Sequence, residues 1–417
     1  MKDLKNKILD IQIFNRRFLR DDFIRHAGIT MAGTQLAGVI NLLFHLLMVR
    51  ILDVVDYGVL NSLVVFTVFF GQLTAAIQPA LAKFFAEELA RGKIALAAAT
   101  AKRAGRDLGL VVAVHLPACL PPAFLQGAQK FTPLAFLNVT YALVKLLVGV
   151  GLVLVGAGVA GALSGYFFGP FLMLLAGVWL IRRYFHRRPA SPEIASPAMG
   201  PIYRYVVPTL LALLSFAVLT NVDITLVKAF FSPQDAGYYS VAQMVGKIIL
   251  FLPAAVAVVV FPKAASLKAM NSSAIHLFHR GLKLAALLSG SATAVCWLLP
   301  ETVLRILTGK TDPEIISLVG LFALAMSFYS LLWLEIFYNL SVGATRFIKF
   351  LLLAAAGQVT AICIYHPDLR TVLILLNIFG CLSFLGTFFL TPGSFRLPLH
   401  NPLPDGEGAG GGGGAGS

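Results

Sequence analysis

The chain has 417 residues, of which 58% are hydrophobic and only 12% are charged, and its mean hydropathy is +0.83. Soluble globular chains are close to half apolar and a quarter charged, so this composition excludes an ordinary water-facing surface. The net charge of +14 is spread between apolar blocks rather than over one soluble face, which excludes nucleic acid as the expected partner.

The first 26 residues show an amphipathic pattern. Leu4, Ile8 and Ile11 begin an apolar stripe at helical spacing, with lysines and arginines around it. Such a stripe is typical of helices that lie in the plane of a membrane surface. We expect a surface helix on the cytoplasmic side, a poorly ordered tail being the alternative.

Eleven apolar blocks follow, each long enough for a helix to cross a hydrocarbon core about 30 Å thick. They lie at 28–50, 58–81, 108–125, 134–156, 158–181, 204–230, 236–262, 281–300, 315–340, 348–366 and 371–391. Charged residues are rare inside the blocks and frequent between them. This alternation predicts an all-α polytopic membrane protein.

Lysine and arginine assign the sides of the membrane, because cytoplasmic loops carry an excess of both. The basic gaps are the segment before residue 28, 82–107, 182–204, 263–283, 341–349 and the tail. The acidic or mixed gaps, expected to face outward, are 51–57, 231–235, 301–314 and 367–370. Both termini are therefore expected in the cytoplasm.

The first half of the chain fails a parity check. The two inward gaps at 82–107 and 182–204 require an even number of crossings between them, yet three blocks are present. The block 108–125 is broken by prolines and is too short for two spans. We favour a hairpin that is shortened in this chain; a re-entrant segment and a later block that does not cross are the alternatives.

An outward turn recurs in both halves. Asp56 and Gly58 open the block after the first span, and Asp235 and Gly237 open the corresponding block of the second half. Aspartate accepts hydrogen bonds from free amides at a helix start, and glycine permits a tight turn. The same turn after spans of the same direction predicts a parallel repeat, in which two bundles are related by an axis along the membrane normal. So short a match also arises by chance.

The chain is expected to divide into five regions. They are a cytoplasmic amphipathic segment (1–26), an N-terminal transmembrane lobe (27–181), a cytoplasmic linker (182–203), a C-terminal transmembrane lobe (204–391) and a flexible Gly-rich tail (392–417). The linker is rich in proline, serine and alanine, which is why we place the boundary between the lobes there.

Several short motifs resemble those of the polysaccharide biosynthesis proteins, the oligosaccharide flippases. In chain order they are Arg50-Ile51-Leu52, Asp56-Tyr57-Gly58-Val59-Leu60, Phe124 to Phe131 (the family's LQG-x-x-(K/R)-F segment), Asn221-Val222-Asp223, Val227-Lys228, Asp235-x-Gly237-x-Tyr239 and Phe261-Pro262. The resemblance spans roughly residues 27–391. In the family the LQG segment follows the fourth helix, so the third and fourth helices look shortened in this chain.

The resemblance implies the fold and activity of the multidrug/oligosaccharidyl-lipid/polysaccharide exporter superfamily. Two pseudo-symmetric six-helix lobes would form a V around a central cavity, the first lobe being incomplete. The expected activity is alternating-access transport of an undecaprenyl-pyrophosphate-linked oligosaccharide across a bacterial inner membrane, for lipopolysaccharide O-antigen or another surface polysaccharide. The implied partners are this lipid-linked oligosaccharide, the bilayer and a polysaccharide polymerase. No cofactor is implied, and whether protons or Na⁺ drive transport stays open.

Ionisable residues inside membrane spans are costly to bury and are candidate functional groups by default. With one amide from the motifs above, the candidates for substrate binding are Arg50, Lys145, Asn221, Asp223, Lys228 and Lys247. A pyrophosphate in a low-dielectric cavity needs cationic partners to offset its lost hydration. Lys145 and Lys247, the deepest cations, are expected to line this cavity together with Arg50.

Structural explanations stand beside these roles. Arg50 and Lys228 lie near span ends, where long basic side chains reach the membrane interface. The structural alternative for Asp223 is an ion pair, either with Lys228 or with a partner across the cavity. Asp223 and Glu335 are also the candidates for binding a coupling proton or cation.

No enzyme is indicated, because the sequence has no Gly-rich phosphate loop, H-E-x-x-H motif or nucleophile elbow. Three alternatives to the flippase remain. A cation-coupled multidrug exporter of the same superfamily would favour an acidic cavity. A multi-span glycosyl- or acyl-transferase would need a histidine or carboxylate cluster near a membrane face. A degenerate chain without transport activity is suggested by the shortened 108–125 region.

Overall fold

The computed structural model describes residue 29 and residues 32–90, 119–128, 130–185, 200–251 and 275–391. The predicted amphipathic segment 1–26 and the Gly-rich tail 392–417 lie outside these residues. Almost all of the described chain is helical, as its composition predicted.

The helices that these residues form are numbered here in chain order. They are α1 (Ala32–Ile51), α2 (Val54–Ala90), α3 (Leu120–Gly127), α4 (Phe131–Leu152), α5 (Gly158–Phe185), α6 (Gly200–Phe230), α7 (Pro233–Phe251), α8 (Ile275–Leu298), α9 (Pro300–Leu307), α10 (Pro313–Ser341), α11 (Arg346–Ile364) and α12 (Leu369–Leu390). We call the end of the bundle that carries the 51–57 and 231–235 turns the turn end, and the opposite end the linker end.

Eight helical stretches in the described residues are long and apolar enough to cross a membrane. They include seven single helices and one stretch, Phe131–Arg182, that is 52 residues long. A straight helix of that length would measure about 78 Å, more than twice the hydrocarbon thickness. The stretch must therefore fold back on itself, and the chain is a multi-pass membrane protein.

The fold-back occurs between α4 and α5. Gly156 and Gly158 have φ angles of +94° and +52°, which side chains disfavour, and they break the helix. Gly165 then packs against the backbone of Gly149, and Gly169 packs against Tyr141, so the two helices run antiparallel. The predicted spans 134–156 and 158–181 are thus two separate antiparallel helices within a stretch of spanning length and composition, which does not favour the explanation in which one of them fails to cross.

The described part of the predicted span 108–125 is only the short helix α3. The Phe124 ring lies 5.6 Å from that of Phe85 near the end of α2, and Gly177 of α5 packs against Pro121. Because α2 and α5 both approach the linker end there, α3 lies at that end too. Residues 91–118 lie outside the described part, so the predicted shortening of the third and fourth helices stays a prediction.

The two halves meet along α2, which packs on α6 and α7 of the second half. A single apolar core runs through both halves, from Phe44 and Met48 in α1 to Phe322 and Tyr329 in α10. In the second half α10 is central, because it contacts α7, α8 and α12. The predicted span 236–262 is described as α7 up to Phe251.

The repeat turns start α2 and α7, but their capping residues lie three positions before the predicted ones. The Asp53 carboxylate accepts from the Val55 amide at 3.3 Å, and Ser232 Oγ accepts from the Asp235 amide at 3.1 Å. Asp235 instead accepts from the Ser232 hydroxyl at 2.7 Å. Asp56 and Asp235 therefore belong to the first helical turn, where a negative charge favours the helix dipole.

Candidate functional site

A polar cluster lies between the two halves, midway along the helices. Buried or half-buried side chains of six helices contribute to it: α1, α4 and α5 around Lys145, and α2, α6 and α7 around Lys247 and Asp223. His45 of α1 lies within electrostatic range of both lysines and so joins the two groups. We call this set of side chains the lysine cluster.

Lys145 is 3% exposed and is held by aromatic rings rather than by a carboxylate. Its Nζ atom lies 4.4 Å from the ring centre of Tyr166 and 4.6 Å from that of Phe44. The Tyr166 hydroxyl is 3.1 Å from His45 Nε2, which fixes the ring of the tyrosine beside the lysine. Cation–π contacts of this kind stabilise a desolvated ammonium group by about 2 kcal/mol without neutralising it.

Lys247 is half-buried and is held by an amide. Its Nζ donates to Asn221 Oδ1 at 3.0 Å. The Asn221 nitrogen donates in turn to the Ala217 carbonyl and to Thr220 Oγ1, at 3.0 and 2.8 Å, so its oxygen is turned toward the lysine. Asn221 and Lys247, each a predicted substrate-binding residue, are therefore in direct contact between α6 and α7.

Asp223 is completely buried and anchors a chain of hydrogen bonds across the two halves. Its Oδ2 accepts from Tyr239 Oη and from Gln243 Nε2, both at 2.8 Å. Gln243 Oε1 accepts from Asn61 of α2 at 2.8 Å. The second carboxylate oxygen, Oδ1, has no hydrogen-bond partner in the part of the chain that the structure describes. Asp223 therefore stabilises the contact between α2, α6 and α7, and it makes no ion pair with Lys228.

The lysine cluster has more positive than negative groups. Lys247 lies within electrostatic range of Asp223, but no carboxylate of the described residues lies within 4.0 Å of either cluster lysine. The cluster thus holds two lysines and one carboxylate, and that carboxylate lies beside Lys247 in a low-dielectric setting. An anionic ligand would offset this excess of positive charge.

Three predicted site residues lie outside the cluster. The Arg50 guanidinium donates to the carbonyls of Ile306 and, at 3.2 Å, of Leu307, which end α9 at the turn end. Lys228 lies half-buried in the last turn of α6. Glu335 is fully buried in α10, inside the second half. In this conformation Arg50 therefore joins the two halves through backbone carbonyls, apart from Lys145 and Lys247.

Three neutral members of the cluster were not predicted. Asn61, Tyr239 and Gln243 lie within apolar spans, but Asn221 was the one neutral side chain selected as a candidate. Because amides and phenols in a membrane also need hydrogen-bond partners, buried Asn, Gln and Tyr carry a usable signal. Phe44 and Tyr166 carry no such signal, since nothing in the sequence shows that their rings face Lys145.

The sequence matches the model of a known protein family. That family is described as "Polysaccharide biosynthesis protein", and the match covers residues 58–317 of this chain. The family resemblance drawn from the short motifs is confirmed by this match. Among curated proteins, none matches the sequence significantly.

Solved structures of MOP superfamily transporters share the fold. The lipid II flippase MurJ, in an inward closed conformation, superimposes with a TM-score of 0.61 at 14% identity, covering 86% of each chain. An outward-facing multidrug resistance MATE family transporter gives a TM-score of 0.61 at 13% identity, over 87% of this chain and 94% of that one. A MOP superfamily transporter from Pyrococcus furiosus gives 0.59 at 13% identity, over 88% and 93%. The predicted architecture of two pseudo-symmetric lobes is thereby confirmed.

Proposed function

The chain belongs to the family of polysaccharide biosynthesis proteins, and from that premise we propose that it moves a lipid-linked oligosaccharide across a membrane. The head group would be a pyrophosphate, and the mechanism would be alternating access between the two lobes. The fold supports this proposal, because transporters and a lipid II flippase share it.

One observation carries the proposal of an anionic head group: Lys145 and Lys247 come from opposite lobes, and neither is ion-paired with a carboxylate of the described residues. Attraction between opposite charges strengthens as the dielectric constant falls, so two such cations bind a phosphate far better than they would in water. Their partners are a neutral amide and two aromatic rings. A phosphate oxygen can replace these partners without the cost of breaking a buried salt bridge.

The difference in burial between the two lysines suggests the order in which they bind the head group. Lys247 is half-buried and reaches its partner through a single hydrogen bond, so it is the lysine that a substrate contacts first. Lys145 lies deeper, against the rings of Phe44 and Tyr166. One pyrophosphate that binds both lysines would draw the two lobes together around the head group. The prenyl chain would stay in the lipid between the lobes.

A cation-coupled multidrug exporter is the second candidate, and the unpartnered Oδ1 of Asp223 is the observation that favours it. A cationic drug could approach this oxygen. Lys247 already lies near the same carboxylate, however, and its positive charge repels a second cation. The balance of charges favours the anionic substrate.

Reconstituted proteoliposomes test the proposal. We expect the purified chain to translocate a fluorescent undecaprenyl-pyrophosphate oligosaccharide, measured by the fraction that a membrane-impermeant quencher reaches. The neutral undecaprenol carrying the same sugar should not be moved. Transport of a cationic dye instead of the pyrophosphate would favour the multidrug exporter, and equal transport of charged and neutral lipids would refute a role for the lysines.

A further inference from the structure

One face of α8 is exposed along most of the helix. It carries a histidine, an arginine and a lysine toward one end, and apolar or small residues beyond them. All of these residues are exposed, and they recur at the spacing of a single helical stripe: His276, Arg280, Lys283, Leu287, Gly290 and Ala294. Because α8 is long and apolar enough to cross a membrane, this stripe faces lipid in the part of the chain that the structure describes.

Two contacts with α10 set the direction of α8 in the bundle. The ring centre of Phe278 lies 4.5 Å from that of Tyr338, with the rings stacked. Near the other end of α8, Trp297 Nε1 donates to the Gly320 carbonyl at 2.7 Å. The two helices are therefore antiparallel. Since α10 begins beside α9 at the turn end, the basic residues of α8 lie at the linker end, where lipid head groups surround the helix.

The positive charge at this end of α8 is unopposed. Neither Arg280 nor Lys283 pairs with a carboxylate among the described residues. The sequence 252–298 contains no aspartate or glutamate, so the neighbouring chain supplies none. Lys283 lies within the predicted span 281–300, where an ammonium group without a partner is costly. Its stem is long enough to reach the head-group region, and an anion bound there would stabilise both cations.

A groove between α8 and α10 continues the same face. Its volume is about 430 Å³, and the residues that line it are Gly290, Thr293, Ala294, Trp297, Leu324 and Ser327. The hydroxyls of Thr293 and Ser327 lie 2.6 Å apart and also bond to backbone carbonyls. The indole N–H of Trp297 is bonded to a carbonyl as well. Because the polar groups of the walls are satisfied within the protein, the groove suits a hydrocarbon chain.

The distance from the cations to the groove matches the thickness of one leaflet. At about 1.5 Å per residue, Gly290 lies about 10 Å beyond Lys283 along α8, and Ala294 lies about 16 Å beyond it. The hydrocarbon of one leaflet is about 15 Å thick, half of the bilayer core. An acyl chain whose phosphate is bound by Arg280 and Lys283 therefore reaches into the groove.

These two features together select the class of ligand. Cations without acidic partners favour a negatively charged head group, and basic sites on membrane helices bind the head groups of acidic lipids. The groove favours a ligand that also has a hydrocarbon chain. A small soluble anion would leave the groove unused, and a neutral lipid would leave the cations unused.

We propose that this face of α8 binds one anionic phospholipid of the bilayer. The phosphate lies on Arg280 and Lys283, beside His276, and one acyl chain fills the groove between α8 and α10. The site lies on the lipid-facing side of the second lobe, apart from the lysine cluster. Its occupancy would stabilise the packing of α8 on α10, whatever the chain transports.

Quenching of Trp297 by brominated lipids tests the site, because this side chain lines the groove. The probe is the full chain in detergent with Trp179→Phe and Trp333→Phe, which leaves Trp297 as its one tryptophan. Phosphatidylglycerol and phosphatidylcholine with the same brominated chains are titrated separately. We expect phosphatidylglycerol to quench at a concentration at least about tenfold lower. Arg280→Gln with Lys283→Gln should remove this preference.

Two matched controls separate the site from its surroundings. Arg346→Gln with Lys349→Gln removes two exposed cations from the start of α11 and should leave the preference intact. Ala294→Phe fills the groove and should raise the concentration of phosphatidylglycerol that is needed. Ala356→Phe adds the same ring at an exposed position of α11 and should not.

Native mass spectrometry gives a second readout that needs no tryptophan substitution. The wild type should retain one more phosphatidylglycerol molecule than the variant Arg280→Gln with Lys283→Gln. Equal quenching by the two lipids, or an unchanged preference in that variant, would overturn the proposal. Displacement of phosphatidylglycerol by an equal amount of undecaprenyl pyrophosphate would also overturn it, because the face would then belong to the transport substrate. Neither readout measures translocation, so the absence of a phospholipid site leaves the transport proposal untouched.

Discussion

Gly58 and Gly237 occupy equivalent positions in the two repeat turns and lie in direct contact. A Cβ atom on Gly58 would come within 3.0 Å of the Cα of Gly237, and one on Gly237 would collide with the Val54 carbonyl oxygen. The two repeat turns therefore contact each other, and the lobes meet there at the turn end. Alternating access requires that this contact opens.

Gly237→Ala should hold the turn end open, because the added methyl group meets backbone rather than a flexible side chain. We expect spin labels at the exposed positions Asp56 and Glu314 to move apart by several ångströms, measured by pulsed electron paramagnetic resonance. Gly71→Ala is the control, since nothing lies within 4 Å of its Cβ. Unchanged distances in Gly237→Ala would show that this contact does not close the turn end.

Arg50 and Lys310 should stabilise the same closed end. Arg50 donates to the carbonyls that end α9, and Lys310 Nζ donates at 3.2 Å to the Leu52 carbonyl that follows α1. Each lobe thus supplies a cation to a helix C-terminus of the other, where positive charge is favourable. Arg50→Gln with Lys310→Gln should increase the separated fraction of the two spin labels used above.

Arg305→Gln is the control for this pair of substitutions. Arg305 lies on α9 as well, but it pairs with Glu301 of its own helix. It should leave the label distances unchanged. An equal effect of Arg305→Gln would mean that general surface charge, rather than the contact between lobes, sets the conformation.

Asn61 and Gln243 should be energetically coupled, because their buried hydrogen bond joins the two lobes. Asn61→Ala leaves Gln243 Oε1 without a donor, and we expect it to lower the free energy of unfolding by about 0.5–2 kcal/mol. In a double-mutant cycle with Gln243→Ala the two effects should not add. Ser62→Ala is the neighbouring control, since Ser62 donates only to Val59 within its own helix. Additive effects would contradict the coupling.

The start of α12 should show a pH-dependent contribution to stability. The Asp368 carboxylate accepts from the Thr371 amide at 2.6 Å, and this hydrogen bond lowers the pKa of the exposed carboxyl group below its usual value. Its contribution is present above the unfolded pKa, about 3.9, and is lost as the pH falls through the lower folded pKa. The Tm difference between wild type and Asp368→Ala should be steady near neutral pH and shrink below about pH 4.

Asp312→Ala is the comparison for that series. Asp312 also precedes a helix, but its side chain makes no capping hydrogen bond. We therefore expect the Tm difference between the wild type and Asp312→Ala to be the same at neutral and at acidic pH. A Tm difference for Asp368→Ala that is undiminished at pH 3 would show that the carboxylate is not the stabilising group.

Much of the fold could be predicted from the sequence because bilayer thickness imposes a length on each span. The blocks 134–156 and 158–181 were separated correctly, although they lie in one long apolar stretch, and Gly156 and Gly158 form the turn between them. The capping residues were misassigned: Asp56 and Asp235 were chosen from the repeat, whereas Asp53 and Ser232 precede the helices. A repeat in sequence indicates equivalence but does not show where a helix begins.

The candidate site was predicted in part. Lys145 and Lys247 were selected because they lie deep within their spans, and both belong to the lysine cluster in the structure. Arg50 was expected beside them as a further cation for the pyrophosphate, but its side chain extends to α9. The surroundings of Glu335 depend on the register between α10 and α12, and such long-range pairing has no local signal in the sequence.

The most direct test of the central claim is the transport of undecaprenyl-pyrophosphate oligosaccharide by Lys145→Gln and Lys247→Gln in proteoliposomes. Lys228→Gln is the matched control, since this lysine lies at the end of α6 outside the cluster. If the two cluster lysines bind the head group, each of their substitutions should reduce transport by at least about tenfold, equivalent to about 1.4 kcal/mol, while Lys228→Gln transports normally. Wild-type rates in the double variant Lys145→Gln with Lys247→Gln would contradict the account.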